Sequence, residues 1–395
     1  MKIYLTALAL SIISVTATAA LHPFYDSNSE YCGYKNESGK VVVPSNKYSI
    51  CGNHHEGLAE VGAWRGETIL VGYIDQAGKL VIPVKYPVEP SSEISEVKYF
   101  SNGLVPVYKP DPKDELGGLY GFMDKSQKLV IPYRYPIASS FSEGRAVVGQ
   151  FDRSGNGNLY GAIDTKGQLM VPIKYSFISG YKDGFAVYGT NSNNPQYGFL
   201  DLAGKIKIPA KWSAANSFHE GLAAVYDTDK WGFINTRGNY VVTPKYSGVK
   251  DFSEGLAAVQ VGGYDTGKWG FINKDGSTAI GLKFNDVESF VKGQAPVRSK
   301  VGSQLKWGSI DKKGNYMIAP QYDAAFILVE TDEDFSDIDY GHHTNSNIHF
   351  YNYVNKKDIY SSPIIRYTFN ENTGKLITSK QFKHWDAVID DFRAK

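Results

Sequence analysis

Short apolar runs alternate with polar turns along this chain, in a phrase that returns eight times. The copy at 221–246 shows it well. Gly221-Leu222-Ala223-Ala224-Val225 leads through polar Asp227-Thr228-Asp229-Lys230 to Trp231-Gly232-Phe233-Ile234. The turn Asn235-Thr236-Arg237-Gly238 follows, and then Tyr240-Val241-Val242-Thr243-Pro244-Lys245-Tyr246. Short apolar runs bounded by turn formers predict strands, three per copy. Gly238 is free to take positive φ and close a hairpin. Pro244 is expected to end the third strand, because it cannot donate to a ladder. Along Trp231-Gly232-Phe233-Ile234 the Trp and Phe share one face, and Gly and Ile share the other. Both faces are apolar or small, which suits a sheet covered on both sides. Gly232 is expected to let a ring of the adjacent copy lie against its backbone.

The Gly that follows the aromatic residue marks the register. It occurs at Gly33, Gly72, Gly121, Gly161, Gly198, Gly232, Gly270 and Gly308. A period of this kind marks a tandem array, not several separate cores. The preceding aromatics, Tyr120, Tyr160, Tyr197, Trp231, Trp269 and Trp307, recur in register and are read as packing rings between repeats. The connectors carry Phe-Ser-Glu-Gly, as at Phe252-Ser253-Glu254-Gly255, whose Glu is read as an acceptor that steadies the turn. Extra length falls in turns and connectors, where insertions spare the core and binding often resides. Gly281 stands where most copies carry Pro. The expected fold is all-β, built from tandem three-stranded antiparallel units over 20–326. Residues 327–395 read as a degenerate β cap or a small separate module. Uneven spacing and this tail favour an open curved array over a closed propeller-like ring.

The N-terminus adds a compartment. Lys2, the apolar stretch Ile3 to Val15 and the small residues Ala17-Thr18-Ala19 predict an export signal over 1–19, against the alternative of a buried N-terminal helix. No later segment is long and apolar enough to span a bilayer as a helix. The 2 cysteines, Cys32 and Cys51, are expected to form a disulfide in an oxidising compartment, with free thiols as the alternative. Such a bridge is worth roughly 3 kcal/mol on the chain-entropy model. Cys32 occupies the slot that Trp or Tyr fills in later copies. The formal net charge of +1 gives no long-range attraction for a polyanion and argues against a nucleic-acid partner.

Trp-Gly-Phe-Ile-Asn/Asp, Gly, a Val-Ile-Pro-like run, Lys-Tyr and Phe-Ser-Glu-Gly-Leu-Ala-Ala-Val together resemble the bacterial WG (KWG) repeat family, from about Cys32 to Tyr322. The resemblance implies a β-rich array used mainly for binding, with no shared catalytic residues. It makes cell-surface and toxin–immunity settings plausible. Asp75, Asp124, Asp164, Asp201 and Asp311 share one turn position and are read as acceptors for their own turns. No nucleophile elbow, phosphate loop or zinc-protease motif is present. His342, His343 and His349 lie near Asp334, Asp337 and Asp339 and are weak candidates for a metal; a solvated loop is the alternative. No cofactor is expected. The expected function is non-catalytic binding of a protein partner in the periplasm or outside the cell, one version being immunity against an envelope toxin. The alternatives are glycan or cell-wall binding, and a hydrolase acting through the C-terminal segment.

Overall fold

Two kinds of turn shape each repeat. In the first, the Asn235 side-chain oxygen accepts the N–H groups of Arg237 and Asn239 while Gly238 takes a φ of 79°. Asp75, Asp124, Asp164 and Asp311 bond in the same way to the second and fourth residues after them, and Asp201 to Lys205. The recurring carboxylates are therefore turn acceptors. In the second turn, two consecutive residues sit in the left-handed region, Glu254 at 53° and Gly255 at 86°, and Ser253 bridges to Leu256 across them. That is the tight primed turn of a two-residue hairpin.

The computed structural model describes residues 21–25, 31–36, 38–89, 98–151, 157–190, 193–263, 266–328, 347–353, 364–369 and 376–382. Residues 1–19, the expected export signal, and His342 and His343 lie outside them. The described chain is all-β. Its strands form nine separate antiparallel meanders, here the first to ninth sheets: 21–48, 50–87, 104–135, 137–175, 177–212, 214–246, 248–284, 286–322 and 324–382. The first and third have three strands and the others four. To the three strands read from the sequence, most sheets add a short one ahead of them, such as Gly248–Val249, which pairs with Gln260 and Val259. No strand is shared between sheets among the described residues, so the array is not a closed barrel and is consistent with an open one.

The third strand departs from expectation. Tyr240–Tyr246 runs through Pro244 without ending there. Trp231 faces Tyr246 while Phe233 faces Val242, so two residues of one strand oppose four of the other. The excess bulges outward, and Pro is tolerated because this is the free edge of the sheet. The bulge also explains the Gly of the aromatic-Gly pair. A Cβ on Gly232 would come within 2.5 Å of the Val242 carbonyl oxygen of the same sheet. At Gly72, Gly121, Gly161, Gly198 and Gly270 the obstruction is the equivalent carbonyl, of Ile82, Ile131, Val171, Ile208 and Ile280. The Gly makes room for its own sheet's bulge, not for a neighbour's ring.

Consecutive sheets pack face to face. Ile234 joins Val187, Phe199, Trp212 and Phe218 on one side of the sixth sheet, while Phe233 joins Phe252, Val259 and Ile272 on the other. Phe233 meets Phe252 edge-on at 5.0 Å, and the same pair recurs as Tyr73–Phe100, Phe122–Phe141, Phe199–Phe218 and Phe271–Phe290. Where the first partner is Ala162, the second is Tyr181. The Cys32–Cys51 disulfide, with Cα atoms 6.0 Å apart, joins the first sheet to the second. Its two positions correspond to Trp231 and Val249, which share one apolar cluster in the later copy. In the ninth sheet Tyr367 and Phe369 reach back to Tyr322, at 5.0 and 5.6 Å between ring centres.

Candidate functional site

Each sheet offers two ends and, along its last strand, a free edge, and the sequence treats them differently. At one end, the Glu-Gly turns are tied from sheet to sheet. The side chains of Glu56, Asn102, Glu143, Asp183, Glu220 and Glu254 accept the N–H of Gly103, Gly144, Gly184, Gly221, Gly255 and Gly293 in turn, at 2.7–3.2 Å. Each acceptor thus serves the next repeat's turn, not its own. Lys125, Lys274 and Lys312 bind Glu56, Glu220 and Glu254 from the following Asx turns. Burial raises the Glu220 carboxyl, but the Lys274 ammonium and the backbone N–H groups outweigh it and hold it below its ordinary value. This end is locked.

Between the ends, the connectors of the sixth to eighth sheets carry buried polar groups. Asn216 donates to Asp251 at 3.0 Å, and the buried His219 ring lies 3.6 Å from the same carboxylate. Lys250 pairs with Glu288 at 2.7 Å. Burial pushes the Glu288 carboxyl up, against the pull of Lys250. Each pair spans two consecutive repeats, so these groups add further cross-ties.

The other end carries the hairpins that join the two long strands. Here large apolar side chains face solvent: Trp64 at 54% and Phe151 at 51% exposure, with Phe177, Val261, Val301 and Leu305 also exposed. The sequence places binding in turns and connectors, the extension from Phe151 to Asn158 among them, but marks out none of the other exposed residues. The available signal was an apolar residue beside a turn, outside the repeated phrase.

Along the free edge stand seven exposed cations, one in each of the first seven sheets: Lys47, Lys85, Arg134, Lys174, Lys211, Lys245 and Lys283. The six lysines lie 4.6–5.3 Å over the aromatic ring that follows each of them.

The packing rings named from the sequence lie at the margins of the apolar clusters. Tyr120 and Trp307 are buried, while Tyr160, Tyr197, Trp231 and Trp269 are half-buried against their clusters. Of the histidine group, only the backbone of His349 is described; it pairs with Phe326 and Thr368. Among the described residues, no three His, Cys, Asp or Glu side chains gather as metal ligands would, and no helix is long and apolar enough to cross a membrane.

A eukaryotic initiation factor of known structure shares 10% identity over 93% of this chain and 97% of that one, with a TM-score of 0.56, a likeness of fold alone. Dihydro-heme d1 dehydrogenase NirN (10% identity, 93% and 74% covered, TM-score 0.41) and apo AztD from Citrobacter koseri (12%, 67% and 86%, 0.37) are more distant in shape. No curated protein matches the sequence. The model of the WG containing repeat matches residues 72–88, 120–150, 160–193, 197–231, 231–264, 269–300 and 307–330. The copy around Gly33 falls outside these matches, although a Cβ there would meet the Val43 carbonyl just as in the later copies. With more than half of its length matched in seven successive copies, the chain belongs to the WG containing repeat family.

Proposed function

We propose that this protein is a non-catalytic binding scaffold of the bacterial cell envelope, exported and presenting its hairpin tips to a protein partner. The observation that carries this reading is the set of large apolar side chains exposed at the hairpin ends, away from the turns that tie the repeats together. The opposite end spends its polar groups on bonds between repeats, although Leu169, Ile206 and Tyr316 beside its Asx turns are exposed as well. The hairpin end exposes Trp64, Phe151, Phe177, Val261, Val301 and Leu305, side chains whose burial against a partner is favourable at roughly 25 cal/mol per Å². The Cys32–Cys51 bridge supports an oxidising compartment. Immunity against an envelope toxin is one specific form of this function.

Site-specific photocrosslinking tests it. A photoreactive phenylalanine analogue replaces Trp64, Phe151 or Val301 at the tips, or Lys166 or Lys205 in the Asx turns at the locked end. The expected result is one discrete protein adduct in envelope extract from the tip positions only. Adducts of equal yield from both ends, or none from the tips, would reject the reading.

A further inference from the structure

We infer that the row of cations on the free edge is a second binding surface, and that its ligand is a linear acidic polysaccharide lying across the sheets. The net charge of +1 conceals this row, because the compensating carboxylates are placed elsewhere. None of the seven cations is in an ion pair among the described residues. Of the lysines that do pair with carboxylates, Lys125, Lys250, Lys274 and Lys312 belong to connectors and turns, and Lys306 to an inner strand of the eighth sheet. Near the row, Asp227 accepts a hydrogen bond from the Tyr240 hydroxyl, and Lys211 lies over that ring without reaching ion-pair distance of the carboxylate.

Position gives the row its shape. Each cation stands at the same register on the last strand of its sheet, immediately before the residue that pairs with the one preceding the repeat's Gly: an aromatic in the third to seventh sheets, Cys32 in the first and Val71 in the second. Sheets packed face to face lie about 10 Å apart, so the cations are spaced along the array instead of clustered. Spaced single charges suit a chain with recurring anionic groups better than one compact anion. The row also ends. In the eighth sheet Gln321 takes the cation's place, and Asp323 two residues on is bound by Lys306.

The chemistry of the ligand follows from what accompanies the charges. Six of the seven rings that follow the cations are buried, at Tyr48, Tyr135, Tyr175, Trp212, Tyr246 and Phe284, and Tyr86 is half-buried, so the row offers few faces on which unpaired bases could stack. Carboxylate-bearing sugars require only the ammonium groups. The lysines are not required by the fold either: their heads are exposed, and an exposed cation–π contact adds little. A surface of this kind is strongly screened by salt.

The test uses the full chain and polygalacturonate, a linear polymer with one carboxylate per sugar, with dextran and single-stranded DNA as comparisons. The wild type is expected to bind polygalacturonate with an affinity that falls at least tenfold from low to physiological salt, and not to bind dextran. The triple variant K174Q/K211Q/K245Q is expected to lose at least tenfold in affinity at unchanged melting temperature. K174R/K211R/K245R is expected to keep it. A control of equal net charge, K166Q/K205Q/K313Q, changes cations of the Asx turns and is expected to stay within twofold of wild type. No wild-type binding, equal binding of dextran, equal losses in both glutamine triples, or tighter binding of the DNA than of polygalacturonate would each overturn the inference.

Discussion

At the residue scale, the least conspicuous member of the aromatic-Gly pair is the one the geometry demands. Trp231 is half-buried, whereas Gly232 has no room for a single methyl group beside the Val242 carbonyl. Gly232→Ala must displace backbone, and is expected to cost on the order of 3 kcal/mol in denaturant unfolding. Trp231→Phe keeps a ring at the cluster margin and is expected to cost less than half as much. The third repeat offers the converse experiment. Gln127 holds a φ of 67° where the other copies have Gly, and its turn keeps the same bond from its N–H to the Asp124 carbonyl. Gln127→Gly is expected to raise stability by about 1 kcal/mol, read as a shift in the unfolding midpoint. The sequence made the turn glycines and the Asx acceptors legible, because φ and local hydrogen bonding are local properties. It misassigned the close approach at Gly232, because the bulge that crowds it lies ten residues ahead and has no compositional mark of its own.

At the scale of strands and turns, the Glu-Gly connectors fasten sheet to sheet. From the sequence, Glu was legible as an acceptor but not as one serving the next copy, since the repeat looks the same whichever neighbour is bonded. The pH dependence of stability follows from Glu220, whose carboxyl is held low by Lys274 and the Gly255 N–H against the opposing effect of burial. A depressed folded value means that the contribution is fully present above the ordinary Glu value of about 4.3 and is lost as pH falls through the lower folded value. Wild type is therefore expected to lose stability below about pH 5, and Glu220→Gln to lose less of it over the same acid range, measured as the unfolding midpoint against pH. An equal loss in both would remove Glu220 from the account. The short strand ahead of each meander was not legible: elements such as Gly248–Val249 or Ala214–Ala215 carry no apolar alternation and exist only because the adjacent long strand offers free backbone groups.

For the whole molecule, the claim that unites these observations is that each sheet owes its stability to the sheets beside it. The sequence pointed there through two apolar faces per strand and through the leading aromatics, of which Trp231 and Trp307 share apolar clusters with residues of the next sheet. The rings that meet edge to edge across the sheets stand two residues later, paired with the Phe of the next connector. Such a stack has nearest-neighbour energetics, in which damage spreads to adjoining units and fades with distance. Hydrogen–deuterium exchange on full-length Phe233→Ala tests this directly, since truncating that buried ring is expected to cost about 3–5 kcal/mol. The account predicts faster exchange in the sixth sheet at 214–246, a smaller rise in the fifth and seventh at 177–212 and 248–284, and little change beyond them. A rise confined to the sixth sheet, or one uniform across all nine, would contradict it.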